Sequence, residues 1–449
     1  MREQSRKAGH VRPWSLLPIE GRSRKGKMTN RHKYRRPRKC YTNYNAIQNG
    51  CLHFLTAAIL VGLTSALVPS CPANLVCDCR LTGPDDDVAL DINCRHKNLT
   101  QLPDFGGLAH QPVHSIDLSW NRITVLPGRA FRGIHFTQGR YSPAKVVMNA
   151  NPLTHVLDDA FYDVTADNLN LFLKYTRLVA YPFNAIRPLV NMTALNFWYS
   201  QIVDLPDGAF TGLHSLNTLD LTGNQIGLLR PSIFRGLEEV VETLYLRAMG
   251  LTAFPTDAIA NLRRLNRLVL DENKIHVLYG DIFFGSVHKP RGLSISMQKN
   301  GMEFIAPDAF RSSADVKISD LDLTSNNLTD FTFLSAPCAL AFTLQNRVLA
   351  YNNPIDCDCV LYSVLSTGFY TFDGRCHAPS NMSGLYVQAQ YGAISKVFDH
   401  LAKQSCRVIT TWDLSCTVIS GSLSSLHPHN VVLLTFLYLA AAAVHIAFL

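Results

Sequence analysis

Between Leu219 and Leu237 the chain reads LDLTGNQIGLLRPSIFRGL, and that stretch limits what the whole molecule can be. Leu219 and Leu221 alternate with polar residues, so they share one face of a short strand. Asn224 follows where the backbone must turn. Its side-chain amide both donates and accepts, and so can serve backbone groups of its own turn and of the neighbouring one. Ile226, Leu229 and Phe234 return to the same interior. One such unit buries nothing by itself and needs a copy above and a copy below. Copies are present: Asn121 in IDLSWNRITVLPGRAF, Asn151 in VVMNANPLTHVLDDAF, Asn273 in LVLDENKIHVL, Asn300 in ISMQKNGMEFIAPDAF and Asn326 in LDLTSNNLTDF. Three weaker copies put Thr176, Ser200 and Met249 at the turn. Most steps between the turn positions are 24 to 27 residues.

That period falls in the range of leucine-rich repeats. The expected fold is an α/β repeat: a leucine-rich-repeat solenoid with a parallel concave β-sheet, whose core grows along one axis, so that 449 residues need not divide into globular domains. Met249 cannot donate and accept as asparagine does, and Thr176 and Ser200 do so only in part. A less regular ladder of turns is therefore expected through the third to sixth repeats. The long step from Asn121 to Asn151 predicts an insertion near Phe136 to Ser142, on the outer side. Leu126-Pro127 with Ala130-Phe131, Leu205-Pro206 with Ala209-Phe210, and Ala309-Phe310 also belong to the outer side.

The formal charge of +8 misleads. Residues 1–40 carry fourteen Lys and Arg against two Asp and Glu, residues 41–70 carry no charge, and the remainder is acidic by four charges. Charge therefore makes no case for nucleic acid as a partner. Phe54 to Val68 is a fifteen-residue apolar run, short for a membrane span and suited to a signal-peptide core, with Thr64 and Ala66 placed for cleavage after Ala66. An uncleaved signal anchor is the alternative, and Met28 is a second candidate start. Of twelve cysteines, Cys40 and Cys51 precede or open this run and ten follow it, clustered at the two ends of the repeats. Such clusters behind a leader point to disulfides and an oxidising compartment.

An open solenoid end exposes core and strand edges, so it needs a cap. Cys71, Cys77 and Cys79 in CPANLVCDC, then Cys94 and NLTQLP, resemble the N-terminal cap of extracellular leucine-rich-repeat proteins. NPIDCDC, carrying Cys357 and Cys359, resembles their C-terminal cap, with Ile355 where Trp is commoner. The resemblance covers about residues 71–406 and is to the secreted and cell-surface class that includes Slit-like, trophoblast-glycoprotein-like and Nogo-receptor-like molecules. It implies the pairs Cys71–Cys79, Cys77–Cys94, Cys357–Cys376 and Cys359–Cys406. Spacing alone leaves three connectivities open for the first four. Cys338 and Cys416 are left over, to pair with each other, stay free or bond between molecules. Zinc fits the C-x-C spacing and the export signal poorly.

The chain then divides into a basic leader and signal peptide over 1–66, an N-terminal cap over 71–112, about nine repeats over 113–347, a C-terminal cap over 348–406, a short stalk over 407–430 and a hydrophobic membrane tail over 431–449. The tail has no basic flank. With Ser420, Gly421 and Ser422 and a polar spacer before it, it fits a GPI-attachment signal with the lipid on Ser420; a bare membrane helix is the alternative. Asn98, Asn191, Asn327 and Asn381 head N-x-S/T sequons and are candidate glycosylation sites.

No G-x-S-x-G, H-E-x-x-H or Gly-rich phosphate loop occurs, and the histidines show no paired spacing. Asp85-Asp86-Asp87 lacks the ligand positions and turn glycine of a Ca²⁺ loop. No enzyme activity, cofactor or metal is expected. The informative residues are those displayed outward from the strands. Between the two core positions of each repeat lie Phe172 and Tyr245; just before the turn residue lie Trp120, Tyr175 and Tyr199, with Trp198 beside the last. These six aromatics are the candidate ligand-binding residues, because a rigid ring buries much area at low entropic cost. Two other readings stay open: the rings stabilise the sheet by packing across strands, or a glycan at nearby Asn191 or a loop covers them. Further along, Arg267, Asp271, Glu272, Lys299, Asp320 and Asp322 make the face more polar, for solvation or for steering a partner. The expectation is a cell-surface protein, on the extracellular side of the plasma membrane. Its concave face binds an extracellular or cell-surface protein ligand, as a receptor or co-receptor without a signalling domain of its own. Homophilic or matrix adhesion, or a secreted structural matrix role, is the alternative.

Overall fold

The computed structural model describes residues 69–83, 88–140, 142–289, 291–311, 316–335, 346–366, 370–390, 393–396, 398–400 and 406. The leader with Cys40 and Cys51, the Asp85 to Asp87 triplet, Cys338, Cys416, the stalk with Ser420 and the tail lie outside the described residues.

Alternation sends every second strand residue inward. Strand Ala89–Asn93 pairs in parallel with Pro112–Asp117, and that with Ala144–Val147. The ladder runs on through Leu169–Phe172, Met192–Asn196, Thr218–Asp220, Thr243–Tyr245, Arg267–Val269, Leu293–Ser296, Ile318–Asp322 and Asn346–Leu349 to Tyr370–Ala378. Leu195, Leu219, Leu244, Leu268, Ile295, Leu321 and Val348 stand in one register and are buried. The chain is a parallel β-solenoid of about eleven turns. That exceeds the nine repeats read from the sequence, because Ala89–Asn93, Asn346–Leu349 and Tyr370–Ala378 carry the ladder into the cysteine-rich ends.

At the N-terminal end, strand Asp78–Thr82 folds back antiparallel on Ala89–Asn93, with disulfides Cys71–Cys79 and Cys77–Cys94. At the other end, helix Cys359–Ser366 and the antiparallel pair Tyr370–Ala378 and Tyr386–Gln390 cover the last rung, with disulfides Cys357–Cys376 and Cys359–Cys406. These are the four pairs that the resemblance implies. Behind the sheet runs a phenylalanine spine. Phe131 stacks between Phe105 and Phe161 at 5.8 and 5.4 Å, and Phe310 lies between Phe283 and Phe333 at 6.3 and 5.7 Å. Phe131, Phe210 and Phe310, the last residues of the outer-side motifs, are all buried.

The turn asparagines behave as their chemistry predicts. Asn224 Nδ2 donates to the carbonyls of Phe197 and Leu221, at 3.0 and 2.8 Å, and its Oδ1 accepts from the Ile202 N–H. Asn121, Asn151, Asn273, Asn300 and Asn326 repeat this arrangement with small variations. Asn353, in the C-terminal cap motif, adds a further member. At the third and fourth repeats the Thr176 and Ser200 hydroxyls bond each other at 2.8 Å, and Ser200 Oγ reaches the Leu173 carbonyl. At the sixth, Met249 is buried and its N–H is taken by Asn273 Oδ1 at 2.9 Å. The expected irregularity therefore holds at the third, fourth and sixth turns. The fifth is regular, because Asn224 keeps both donor bonds and its acceptor bond.

The long step is placed differently from expectation. His135–Phe136 pairs with Pro112 and Val113, whereas Lys145 pairs with Ser115. The extra residues thus form a loop within the strand direction, at its entry, and not on the outer side. A short bridge from Gly139 to Ser142 closes the loop. His114 holds it from below, with its ring nitrogens 3.2 Å from the Thr137 carbonyl and from Ser142 Oγ. The pairing at both flanks keeps the solenoid in register, so an excursion costs little more than loop closure.

Candidate functional site

The position before each turn residue is not on a strand. Trp120, Ala150, Tyr175, Tyr199, Ala248, Glu272, Lys299 and Ser325 all adopt left-handed backbone angles, with φ between 52° and 61°, and Gly223 takes the same role at 73°. Strand Thr218–Asp220, for example, ends three residues before the turn asparagine's left-handed neighbour, Gly223. A left-handed residue costs an L-amino acid roughly 1 kcal/mol, and a hydrogen bond offsets it at each level. The Tyr175 N–H donates to the Trp198 carbonyl at 2.8 Å, Tyr199 to Thr222 at 2.7 Å, and Glu272 to Gln298 at 2.8 Å. Trp120, Tyr175 and Tyr199 therefore line the exit edge of the sheet, beyond the strands, where the expectation put them on the strand face.

Four of the six candidate residues come together. Tyr175 stacks on Tyr199, 5.8 Å between centroids and 12° between planes, and both approach Trp198 at 5.7 and 5.8 Å. Phe172 joins them through Lys174, whose ammonium lies 5.6 Å from the Phe172 ring and 4.8 Å from that of Trp198. The other two stand apart. Trp120 stacks on His96 at 5.6 Å, one end of the solenoid away, with Ala150 between it and Tyr175 in the left-handed column. Tyr245 shares its column with Asp220, Asn196 and Phe172. It thus lies three rungs, about 14 Å, from Phe172.

Packing across rungs is real here, yet Tyr175 and Tyr199 remain 52% and 42% exposed. Trp198 is half-buried, and its Nε1–H is buried without a hydrogen-bond partner among the described residues. Asn191 is exposed and sits just before strand Met192–Asn196, whereas Trp198 and Tyr199 follow its far end. A glycan on Asn191 would start from the opposite edge of the sheet. Asn98, Asn327 and Asn381 are also exposed.

The sequence reading missed Lys174, Gly223 and Arg247. The signal for Lys174 and Arg247 lay in the column after the second core residue, which runs Lys174, Trp198, Thr222, Arg247, and that for Gly223 in the column just before the turn residue. Arg247 Nη2 bonds Glu272 Oε1 at 2.6 Å, and Lys299 shares that oxygen at 3.2 Å. The bond from Arg247, with the second from Lys299, holds the Glu272 carboxyl below its usual range against the effect of burial, and the Arg247 guanidinium is pushed up in return. Gly223 makes room for Tyr199, since a Cβ there would stand 2.6 Å from the tyrosine ring. Ala150 and Ala248 tolerate the same backbone, so the steric term is the specific one. Gly223→Ala is expected to tilt Tyr199 off Tyr175 and change the near-UV circular dichroism. The far-UV spectrum should hold, with about 1 kcal/mol of stability lost; an unaltered near-UV spectrum would refute the close fit.

Comparison with known proteins agrees with this architecture. The leucine-rich-repeat family model matches residues 190–242. Human leucine-rich repeats and immunoglobulin-like domains protein 1 is 25% identical over 223 residues, 50% of this chain and 19% of that protein. Keratocan of Coturnix japonica is 28% identical over 283 residues, 62% of this chain and 74% of that protein. The chain thus spans about a fifth of the length of the first and about three-quarters of the second. The crystal structure of human trophoblast glycoprotein superposes with a TM-score of 0.39 at 21% identity, over 73% of this chain and 99% of that one. The matched repeat segment, the asparagine ladder and the disulfide-bonded ends give this chain a leucine-rich-repeat fold that resembles the cysteine-capped, extracellular members of that class, with no single relative that stands for it.

Proposed function

We propose that the protein is a cell-surface receptor or co-receptor that binds a protein ligand on its sheet, centred on Phe172, Tyr175, Trp198 and Tyr199. The observation that carries this reading is the state of the rings. They are fixed against one another and yet half in solvent, with one indole N–H unsatisfied. Pre-fixed aromatic surface loses little entropy on binding. In this reading the chain is a binding protein and not an enzyme. The four disulfides among the described residues suit the oxidising exterior, and the sequon asparagines Asn98, Asn191, Asn327 and Asn381 carry glycans.

The test is capture of arrayed extracellular domains by the full chain, wild type against Trp198→Ala with Tyr199→Ala. Loss of capture by about a hundredfold with a nearly unchanged melting temperature is the expected result, as for paired hot-spot residues. Equal loss of capture and of stability would assign the rings to sheet packing alone.

Attachment to the membrane is part of the proposal. Among the described residues no helix is long and apolar enough to cross a bilayer. The tail over 431–449 would supply the anchor through lipid on Ser420. A tag between Ser70 and Cys71 on intact cells is expected to enter the medium after treatment with a phosphatidylinositol-specific phospholipase. Retention of an externally accessible tag would instead assign the tail to a membrane helix.

A further inference from the structure

The charges around the aromatic group are unbalanced, and they bear on what the ligand brings to it. Across the second to sixth repeats, the outward positions of the sheet and its exit edge carry three cations, Lys145, Lys174 and Arg247, against one carboxylate, Asp220. That carboxylate is already engaged: its oxygens accept from Asn196 Nδ2 at 2.6 Å and from the Thr222 N–H at 3.0 Å. Among the described residues, Lys145 and Lys174 have no carboxylate within 4.0 Å, and Lys174 rests on ring faces instead. Arg247 shares the Glu272 carboxylate with Lys299, and among the described residues its buried Nε has no partner. The Trp198 Nε1–H is the second buried donor in that column lacking an acceptor. Unmet donors and an unpaired cation thus run along one column from Lys174 to Arg247. That is three rungs, about 14 Å, or the reach of roughly four residues of extended chain.

Resting on the binding reading above, we infer that the ligand meets this strip with an extended acidic peptide segment. One carboxylate lies over the Lys174 ammonium, a second reaches Arg247, and apolar side chains between them cover Tyr175 and Tyr199. The polarity reverses beyond the sixth repeat, where Asp271, Glu272, Asp320 and Asp322 outnumber Arg267 and Lys299. An acidic segment is repelled there, which confines it to the aromatic half and sets its position along the solenoid.

The experiment is a random library of short displayed peptides, selected on cells bearing the full chain and counter-selected on cells bearing Trp198→Ala. Enriched peptides are expected to place Asp or Glu beside aromatic or aliphatic residues. Their binding should fall about tenfold in Lys174→Gln, recover in Lys174→Arg, and weaken with added salt. An unchanged melting temperature for Lys174→Gln separates this loss from misfolding. Neutral or basic peptides, or acidic ones indifferent to Lys174→Gln, would overturn the acidic ligand while leaving the binding face standing. Heparin captured through Lys174 in the absence of enriched peptides would assign the strip to a sulfated polysaccharide and overturn the peptide. If no peptide distinguishes wild type from Trp198→Ala, the binding reading itself fails.

Discussion

Asn273→Ala is expected to destabilise the solenoid by roughly 4 kcal/mol and to divide its unfolding into two steps. Asn273 is the busiest residue of the turn ladder. Its Oδ1 accepts from the N–H groups of both Met249 and Leu251, at 2.9 and 3.1 Å, and its Nδ2 donates to the carbonyls of Leu246 and Leu270 at 2.8 Å. Leu270 would keep a bond from Asn300. The other three backbone groups would be left buried and unpaired, at about 1–3 kcal/mol each before relaxation. The level above offers no help, because Met249 has no polar side-chain group to share. In a solenoid each repeat is held only by its neighbours, so a weak junction between the sixth and seventh repeats lets the two halves unfold separately. Urea unfolding followed by circular dichroism should show the split, and a single transition with under about 1 kcal/mol lost would mean that the amide is dispensable. The converse change, Met249→Asn, would give the Ile226 N–H the acceptor that its counterparts at Ile202 and Leu251 possess, and should gain about 1 kcal/mol.

How much of this could be read from sequence follows from periodicity. Leu219, Leu221 and Asn224 recur at a nearly constant step, so the solenoid, its interior face and its turn ladder were legible from spacing and side-chain chemistry. The ends were less so. Ala89–Asn93 and Asn346–Leu349 lack the full motif, yet they take a parallel partner on the growing sheet because an exposed edge is costly. The site was half legible. Period-two alternation correctly placed Phe172 and Tyr245 outward, but it was carried two residues too far. It cannot register that Tyr175 and Tyr199 leave the strand through a left-handed turn. Nor does alternation show which rings meet. Tyr175 reaches Tyr199 and Trp198 because Gly223 leaves space on the next level, a relation between residues 24 apart that no single repeat displays. The excursion after Phe136 was visible as a long step, but its position within the strand direction depends on pairing at both flanks.

Phe131→Ala is expected to cost about 3–5 kcal/mol, and to cost it at one end of the molecule. Phe131 is fully buried, stacks between Phe105 and Phe161, and meets the edge of Phe136 at 6.4 Å. Removing the ring leaves a cavity bounded by three other aromatics, which are too rigid to collapse into it and lose their pairing with it. Phe105 belongs to the turn beneath the N-terminal cap, so the loss loosens the cap from the second rung. The cap cannot compensate, since Cys71–Cys79 and Cys77–Cys94 tie it to itself and to strand Ala89–Asn93 but not to the outer turns. Amide exchange should therefore quicken over about residues 89–147 while the repeats from Asn224 onward keep their protection, because coupling in a solenoid reaches little beyond neighbouring repeats. Phe131→Leu, which refills part of the volume, should recover most of the loss. If exchange instead quickened evenly along the chain, the array would unfold as one cooperative unit, and the nearest-neighbour account given for Asn273 would fail with it.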